Sequence, residues 1–313
     1  MKIFSWIIKD TTFDFLKLRK LGYVISALLI AASLASIALK GFNFGIDFSG
    51  GVLIDVKSKA GVVNVDEVRD MLKPLNLDEL TLQAVGQDGK QLMIRAQADN
   101  ANEESQRIAV NQIKEILGQD FTFERIESVG PQVGDELKMS GILASIFACV
   151  AISLYVWIRF EWRFAVGALL GLFHDIFIVV GLLSIFHFEF SLTTIAAILT
   201  LAGYSVNDTV VTYDRIRENL QKFKKMPQYD LLNKSINDIF SRTILTSLTT
   251  MFASIALLVF GGEALRSFAF VITAGVIIGT YSSIYVSVSI LNLFDLRKAA
   301  AEAEKDVNPF GNV

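Results

Sequence analysis

Residues 198–219 read ILTLAGYSVNDTVVTYDRIREN, beginning as membrane-grade apolar sequence and ending as a charged aqueous one. Asn207 and Asp208 fall before the change. An ionisable side chain inside a span is costly, so it marks a functional site by default. Asp208 lies roughly five residues before the aqueous end, or about 8 Å inside the membrane edge. A carboxyl that exchanges a proton within a helix bundle is the basic part of a proton relay. The same residue could instead snorkel to the interface or pair to hold two helices together.

Arg242 opens the next apolar run, which is antiparallel to the one carrying Asp208, so the two can reach similar depth. Opening an Arg–Asp pair frees a carboxyl for a proton, which would turn proton uptake into movement. Arg242 could equally be an ordinary positive anchor at the membrane edge. His174-Asp175 falls near the middle of another run, about 16 Å from its start. That pair could extend a proton path toward Asp208, hydrate a cavity, or bond a neighbouring helix. Asn207, Thr209 and Thr246, with Ser205, Ser247 and Thr250, supply candidate interhelical hydrogen bonds.

The elements that must position these groups are apolar helices. Hydrophobic residues make up 52% of the 313, and the mean hydropathy is +0.48, too apolar for a soluble domain. Six runs are long enough for a bilayer core: 21–39, 139–158, 164–187, 192–213, 243–260 and 267–294. All are expected to be helices, because lipid leaves no other partner for their backbones. The basic start followed by run 21–39 resembles a signal peptide. The run's length and the further spans favour an uncleaved first helix. Lysine and arginine cluster in 1–20, at 159–163, in the loop 214–242 and in the tail 295–313, so both termini are expected to be cytoplasmic.

Residues 41–138 then lie outside the membrane as the one segment large enough for an aqueous domain. A strand over 51–56, a helix over 64–72, strands over 79–85 and 91–96, a helix over 103–117 and a strand over 121–128 give the order βαββαβ. That order is the ferredoxin-like split βαβ sandwich. Asn64 and Glu67 have N-cap and N3 spacing, and Pro74 ends the first helix. Its buried face is expected to hold Val65, Val68, Met71 and Leu72, and that of the second helix Ile108, Ile113, Ile116 and Leu117. This domain shows no catalytic constellation and reads as a binding or mechanical module. The loop 214–242 reads as a basic amphipathic interfacial helix or a docking surface for a cytosolic partner.

A net charge of -3 points away from nucleic acid, and one cysteine with two histidines makes a structural zinc site unlikely to assemble. No cofactor is expected. The pairs Gly167/Gly171 and Gly275/Gly279 are GxxxG motifs, marking close approach of helices within the chain or to another subunit. Cys149 is expected in the core and His187 at a span's outer end.

GIDFSGG (45–51), VGPQVGDEL (129–137), RFEWRFA (159–165), His174-Asp175, GYSVNDTVVTYDRIREN (203–219) and SRTILTS (241–247) together resemble the SecF family. These are the smaller subunits of the SecD–SecF accessory complex of the bacterial protein translocase, distant relatives of RND transporters. The resemblance runs from 42 to 294, in order and with matching topology. It implies six RND-like spans in the bacterial inner membrane and a small periplasmic domain. It also implies a non-enzymatic role in late preprotein translocation and release, driven by the proton-motive force. SecD and the SecYEG translocon are the implied partners, with YajC, YidC, unfolded preprotein and membrane lipid beside them, and no nucleic acid. Asp208 and Arg242 match the family residues tied to proton movement, and Asp175 a supporting position. A scaffold that merely organises other subunits is the alternative. Small-molecule antiport is disfavoured by the small size of the outer segment.

Overall fold

The computed structural model describes residues 11–75, 77, 80–86, 88–96 and 103–297. Most of the expected tail and the first half of the basic N-terminus therefore lie outside the described residues, as does Glu79 at the start of one expected strand.

Six long helices dominate: α1 (Arg19–Lys40), α5 (Pro131–Arg159), α6 (Trp162–Phe186), α7 (Leu192–Lys222), α8 (Gln228–Phe260) and α9 (Gly262–Ser282). Each contains a window apolar and long enough to cross a bilayer. The chain is thus a multi-pass membrane protein. The windows of α6, α7 and α9 are 50%, 44% and 56% buried, against 22% for α1 and 11% each for α5 and α8. The first three form the packed centre, and all the buried ionisable groups of the bundle lie on them. After Ser282 the last helix widens into a π-helical turn, Ser283–Val288, before a final α-turn, α10 (Ser289–Leu291).

The glycine pairs let these helices approach within the chain. A Cβ on Gly171 would fall 2.1 Å from Ser287 Oγ, and one on Gly275 2.3 Å from Leu201 Cδ1. A Cβ on Gly181 would lie 2.8 Å from Ser33 Cα, so α1 and α6 touch nearly backbone to backbone.

Three helices run well past their expected spans, and α5 begins at Pro131, so residues 131–138 belong to it and not to the outer domain. The charged continuations Asp214–Lys222 and Gln228–Arg242 remain α-helical, because hydropathy ends at the lipid edge whereas helical hydrogen bonding does not. Residues 228–242 are therefore the first turns of α8, and no separate interfacial helix forms. Leu231, Leu232 and Ile236 are buried with Phe15 and Leu16. Asn233 Oδ1 accepts from Phe15 N at 2.8 Å and Asn237 Oδ1 from Phe13 N at 2.9 Å, so the N-terminal segment straps this face. Arg159 to Asp214 (2.8 Å) and Arg215 to Asp238 (2.8 Å) tie the same end together.

The small domain holds β2 (Gly51–Ser58), α3 (Val65–Leu72), β3 (Thr81–Val85), β4 (Gln91–Ala96), α4 (Glu103–Leu117) and β5 (Phe121–Val129). Its sheet runs β3-β4-β2-β5, antiparallel throughout, the ferredoxin-like order. Asn64 caps α3 by accepting from Asp66 N, and its amide donates to Glu67 Oε1 at 2.9 Å. Val68 and Leu72, one turn apart, take the buried face, and Met71 is exposed. On α4 the buried stripe is Ala109, Ile113 and Leu117, four residues apart, and Ile108 stands outside it at 51% exposure. Gln106 is buried instead, bonded to Ser128 (2.6 Å) and Val129 O (3.1 Å). Val52, Ile54 and Val56 of β2 meet these helices.

The domain rests on the near ends of the long helices. β1 (Asn43–Phe44) pairs in parallel with β6 (Glu189–Phe190), and the GIDFSGG segment folds into a short helical turn, α2 (Ile46–Ser49). Gly50 and Gly51 follow with φ of 71° and 110°, values that favour glycine. His187 ends α6 at φ 55°, a left-handed cap.

Candidate functional site

The polar groups of the bundle fall into two linked clusters. Helical spacing on α7 puts Ser205, Asp208 or Thr209, and Thr212 on one face, toward α6, α8 and α9. Asn207, one residue aside, is exposed. It lines a cavity of about 380 Å³ with Ala151, Ile152, Tyr155, Gly203, Val206 and Val210, between α5 and α7.

Asp175 is fully buried. Its Oδ2 accepts hydrogen bonds from Ser205 Oγ on α7 (2.5 Å) and Ser282 Oγ on α9 (2.7 Å). Gly279 leaves room for the carboxylate, since its Cβ would lie 3.6 Å from Asp175 Oδ2. Oδ1 meets His174 Nδ1 at 2.9 Å, and His174 Nε2 meets Ser26 Oγ of α1 at 3.0 Å. Ser26 Oγ lies 3.0 Å from Tyr281 Oη, which donates to Gly22 O. Counting donors along this chain fixes its protons. Tyr281 spends its hydrogen on Gly22 O, so Ser26 donates to Tyr281 and His174 Nε2–H donates to Ser26. His174 Nδ1 and Asp175 Oδ1 close the chain at 2.9 Å. Four helices are thus joined by one hydrogen-bond network.

Asp208 lies one turn beyond Ser205 and is less well supplied. Its Oδ1 accepts from Thr243 Oγ1 of α8 at 3.0 Å. Its Oδ2 is buried with no hydrogen-bond partner. Ser283, at the start of the π-helical turn, also acts on this carboxyl, as do the charges of Arg242 and Asp175. The direct ion pair expected between Arg242 and Asp208 is not made among the described residues. Arg242 is exposed, because the inward position on α8 belongs to its neighbour Thr243. Thr246 also faces outward, bonding only its own helix at Arg242 O (3.1 Å) and Thr243 O (2.9 Å). Thr209 is buried. Interhelical serines of α8 include Ser247, 2.7 Å from Thr280 Oγ1, and Ser254, which accepts from Thr273 Oγ1 at 2.9 Å. Cys149 is partly buried rather than in the core.

Asp47 escaped sequence reasoning. Its Oδ2 accepts from Leu192 N at 2.8 Å, satisfying a free donor at the N-terminus of α7 while Ser191 accepts from Thr194 N. The GIDFSGG segment therefore caps the helix that carries Asp208 at its other end. An acidic residue before two glycines was the available signal, but nothing in the sequence linked it to residue 192.

Among the described residues no group of acidic, histidine or cysteine side chains is arranged to hold a metal.

The class this architecture defines is a polytopic helical membrane protein with a ferredoxin-like domain on one side and carboxyls buried in its bundle. Residues 109–297 match the C-terminal region of the protein export membrane proteins SecD/SecF, and residues 35–62 match the SecD/SecF GG motif. The protein translocase subunit SecF of Rickettsia conorii is 43% identical over 290 residues, covering 91% of this chain and 93% of that one. The SecF of Cereibacter sphaeroides is 43% identical over 291 residues, 90% of each. The crystal structure of SecDF from Thermus thermophilus, a translocon-associated membrane protein, is similar with a TM-score of 0.80 at 36% identity. That similarity covers 91% of this chain but 38% of the longer SecDF chain. The super-membrane-facing form of SecDF gives a TM-score of 0.66 over 95% of this chain. The chain belongs to the SecD/SecF family, among its SecF protein translocase subunits.

Proposed function

We propose that the chain works with SecD to convert the proton-motive force into late preprotein translocation and release across the bacterial cytoplasmic membrane. Both termini then lie in the cytoplasm and the small domain in the periplasm, a placement that the distribution of lysine and arginine supports. The observation that carries the reading is Asp208, a carboxyl with one oxygen bonded to Thr243 and the other buried, with Ser283 near but no well-formed hydrogen bond. Such a group gains a partner by taking a proton or by meeting a cation, and exposed Arg242 stands within electrostatic range of it. The His174–Asp175 network, joined to α7 through Ser205, lies one helical turn away and supports a path to Asp208.

A proton gradient would then replace any cofactor. SecYEG is the expected docking partner and unfolded preprotein the cargo, with YajC and YidC as further neighbours. The wide apolar faces of α5 and α8 suit lipid and a SecD chain, and they also favour the second reading, a scaffold with no proton cycle. The test is gradient-dependent preprotein release in vesicles containing SecD, SecYEG and either the native chain or Asp208→Asn. The variant is expected to assemble normally and lose the stimulation by the gradient. Normal release by an assembled Asp208→Asn complex would reject proton coupling and leave the scaffold.

A further inference from the structure

A second set of acids lies outside the bilayer spans, where the open face of the sheet meets the helix ends. Asp55 projects from β2 beside Arg125 of β5, 3.8 Å away. Arg125 is already committed to Glu127, with Nε and Nη2 each donating at 2.7 Å. Asp55 thus receives the weak end of that guanidinium, and its Oδ1 is buried with no hydrogen-bond partner. Across the seam Arg95 of β4 holds Glu189 of β6 at 3.2 Å, and donates to Asn43 Oδ1 and Phe44 O. Arg266 of α9 is paired with Glu263 at 3.0 Å. Glu189, Glu263 and Glu127 all act on Asp55, and Asp47 of α2 acts on Glu189. The acids Asp55, Glu127, Glu189, Glu263 and Asp47 therefore outnumber the cations Arg95, Arg125 and Arg266. A cavity of about 110 Å³, lined by Arg95, His187, Glu189, Glu263 and Arg266 among others, opens this cluster to solvent.

We propose that this seam is a second proton-binding site, centred on Asp55, and that a proton taken up there from the domain side tightens the domain onto the helix ends. With Asp47 engaged at the N-terminus of α7, the other four acids still exceed the three arginines by one, so the geometry asks for one positive charge more than the seam contains. A proton supplies it without displacing any arginine, and it removes the charge from a carboxyl whose Oδ1 is buried without a partner.

Burial pushes the Asp55 carboxyl up to about 6, with Arg125 only partly opposing it, and burial raises Glu189 as well. The share of that rise contributed by the helix ends, through Glu189 and Glu263 and the cover they provide, makes the carboxyl bind its proton more tightly docked than free. Docking is therefore favoured at low pH, and the gain is lost as pH rises through about 6. Taking the ordinary value for the free domain, the docking equilibrium strengthens roughly tenfold between pH 7 and pH 5. Nothing in this argument requires Asp208.

The experiment is amide hydrogen exchange on the full chain in lipid nanodiscs, corrected for intrinsic pH dependence and read at β1, β4 and β6. Protection in the native chain is expected to rise about tenfold from pH 7 to pH 5. Asp55→Asn, which mimics the protonated acid, should be protected at both values with no such rise. Asp208→Asn should keep the native response, separating this site from the proposed proton cycle. Flat protection in the native chain would overturn the proposal, as would an unchanged response in Asp55→Asn. If Asp55→Asn does not fold, infrared titration of Arg125→Gln decides. Removing the nearest cation should move the appearance of the protonated carboxyl to higher pH, and an unmoved transition refutes the site.

Discussion

Ser205 and Ser282 both donate to the same buried oxygen of Asp175, from different helices, so removing them should not be additive. A hydrogen bond between helices in a bilayer contributes on average about 0.6 kcal/mol. One alanine substitution leaves the other hydroxyl in place, and each single variant should lose about 0.6–1.5 kcal/mol. The double variant strands Oδ2 in a fully buried site, which adds the penalty of an unsatisfied acceptor, about 1–3 kcal/mol. The coupling energy in the cycle should therefore be at least about 1 kcal/mol. Reversible unfolding in mixed micelles, followed by tryptophan fluorescence, measures all four corners. A double variant whose loss equals the sum of the singles within about 0.5 kcal/mol would refute the shared-acceptor reasoning. It would mean that water reaches Asp175 or that the carboxyl turns away from α9.

Two further changes probe the frame. Gly181→Ala places a methyl against the backbone of Ser33, which no rotamer change relieves. It should cost about 1–3 kcal/mol and lower the midpoint of thermal unfolding in detergent. A variant as stable as the native chain would show that α1 does not pack as closely as drawn. Asn64→Ala removes the cap of α3 and should cost the domain about 1 kcal/mol, seen as faster amide exchange confined to α3. Equal slowing or speeding in α4 would point to a global effect instead.

The six spans and the βαββαβ order were legible because both rest on local signals, apolar length in one and alternation with a cap in the other. The reach of α7 and α8 beyond the lipid was not, since charged helix looks like loop to a hydropathy reading. On α4, Ile108 was assigned inward by its type. The stripe set by Ala109, Ile113 and Leu117 turns it outward, and a polar Gln106 takes buried space because Ser128 satisfies it. The site was legible as a set of costly residues but not as a wiring. His174, Asp175 and Asp208 stand out against apolar neighbours, whereas Ser26, Tyr281 and Ser282 are ordinary residues made significant only by packing. Arg242 was expected to close on Asp208 because charge suggests charge. One residue of helical rotation gave that place to Thr243.

The π-helical turn at Ser283–Val288 has a consequence for how the last helix can move. It accommodates an extra residue within a turn, and such a dislocation can migrate by exchanging one hydrogen bond at a time. Each step would carry the residues it passes about 100° around the axis and 1.5 Å along it, while the rest of the rod stays hydrogen-bonded. Ser282 touches Asp175 and Ser283 faces Asp208 at the edge of this defect. A shift by a single residue would therefore bring Ser283 to the place of Ser282 beside Asp175 and the apolar Ile284 to that of Ser283, withdrawing a hydroxyl from Asp208, a gear tooth cut into the backbone itself.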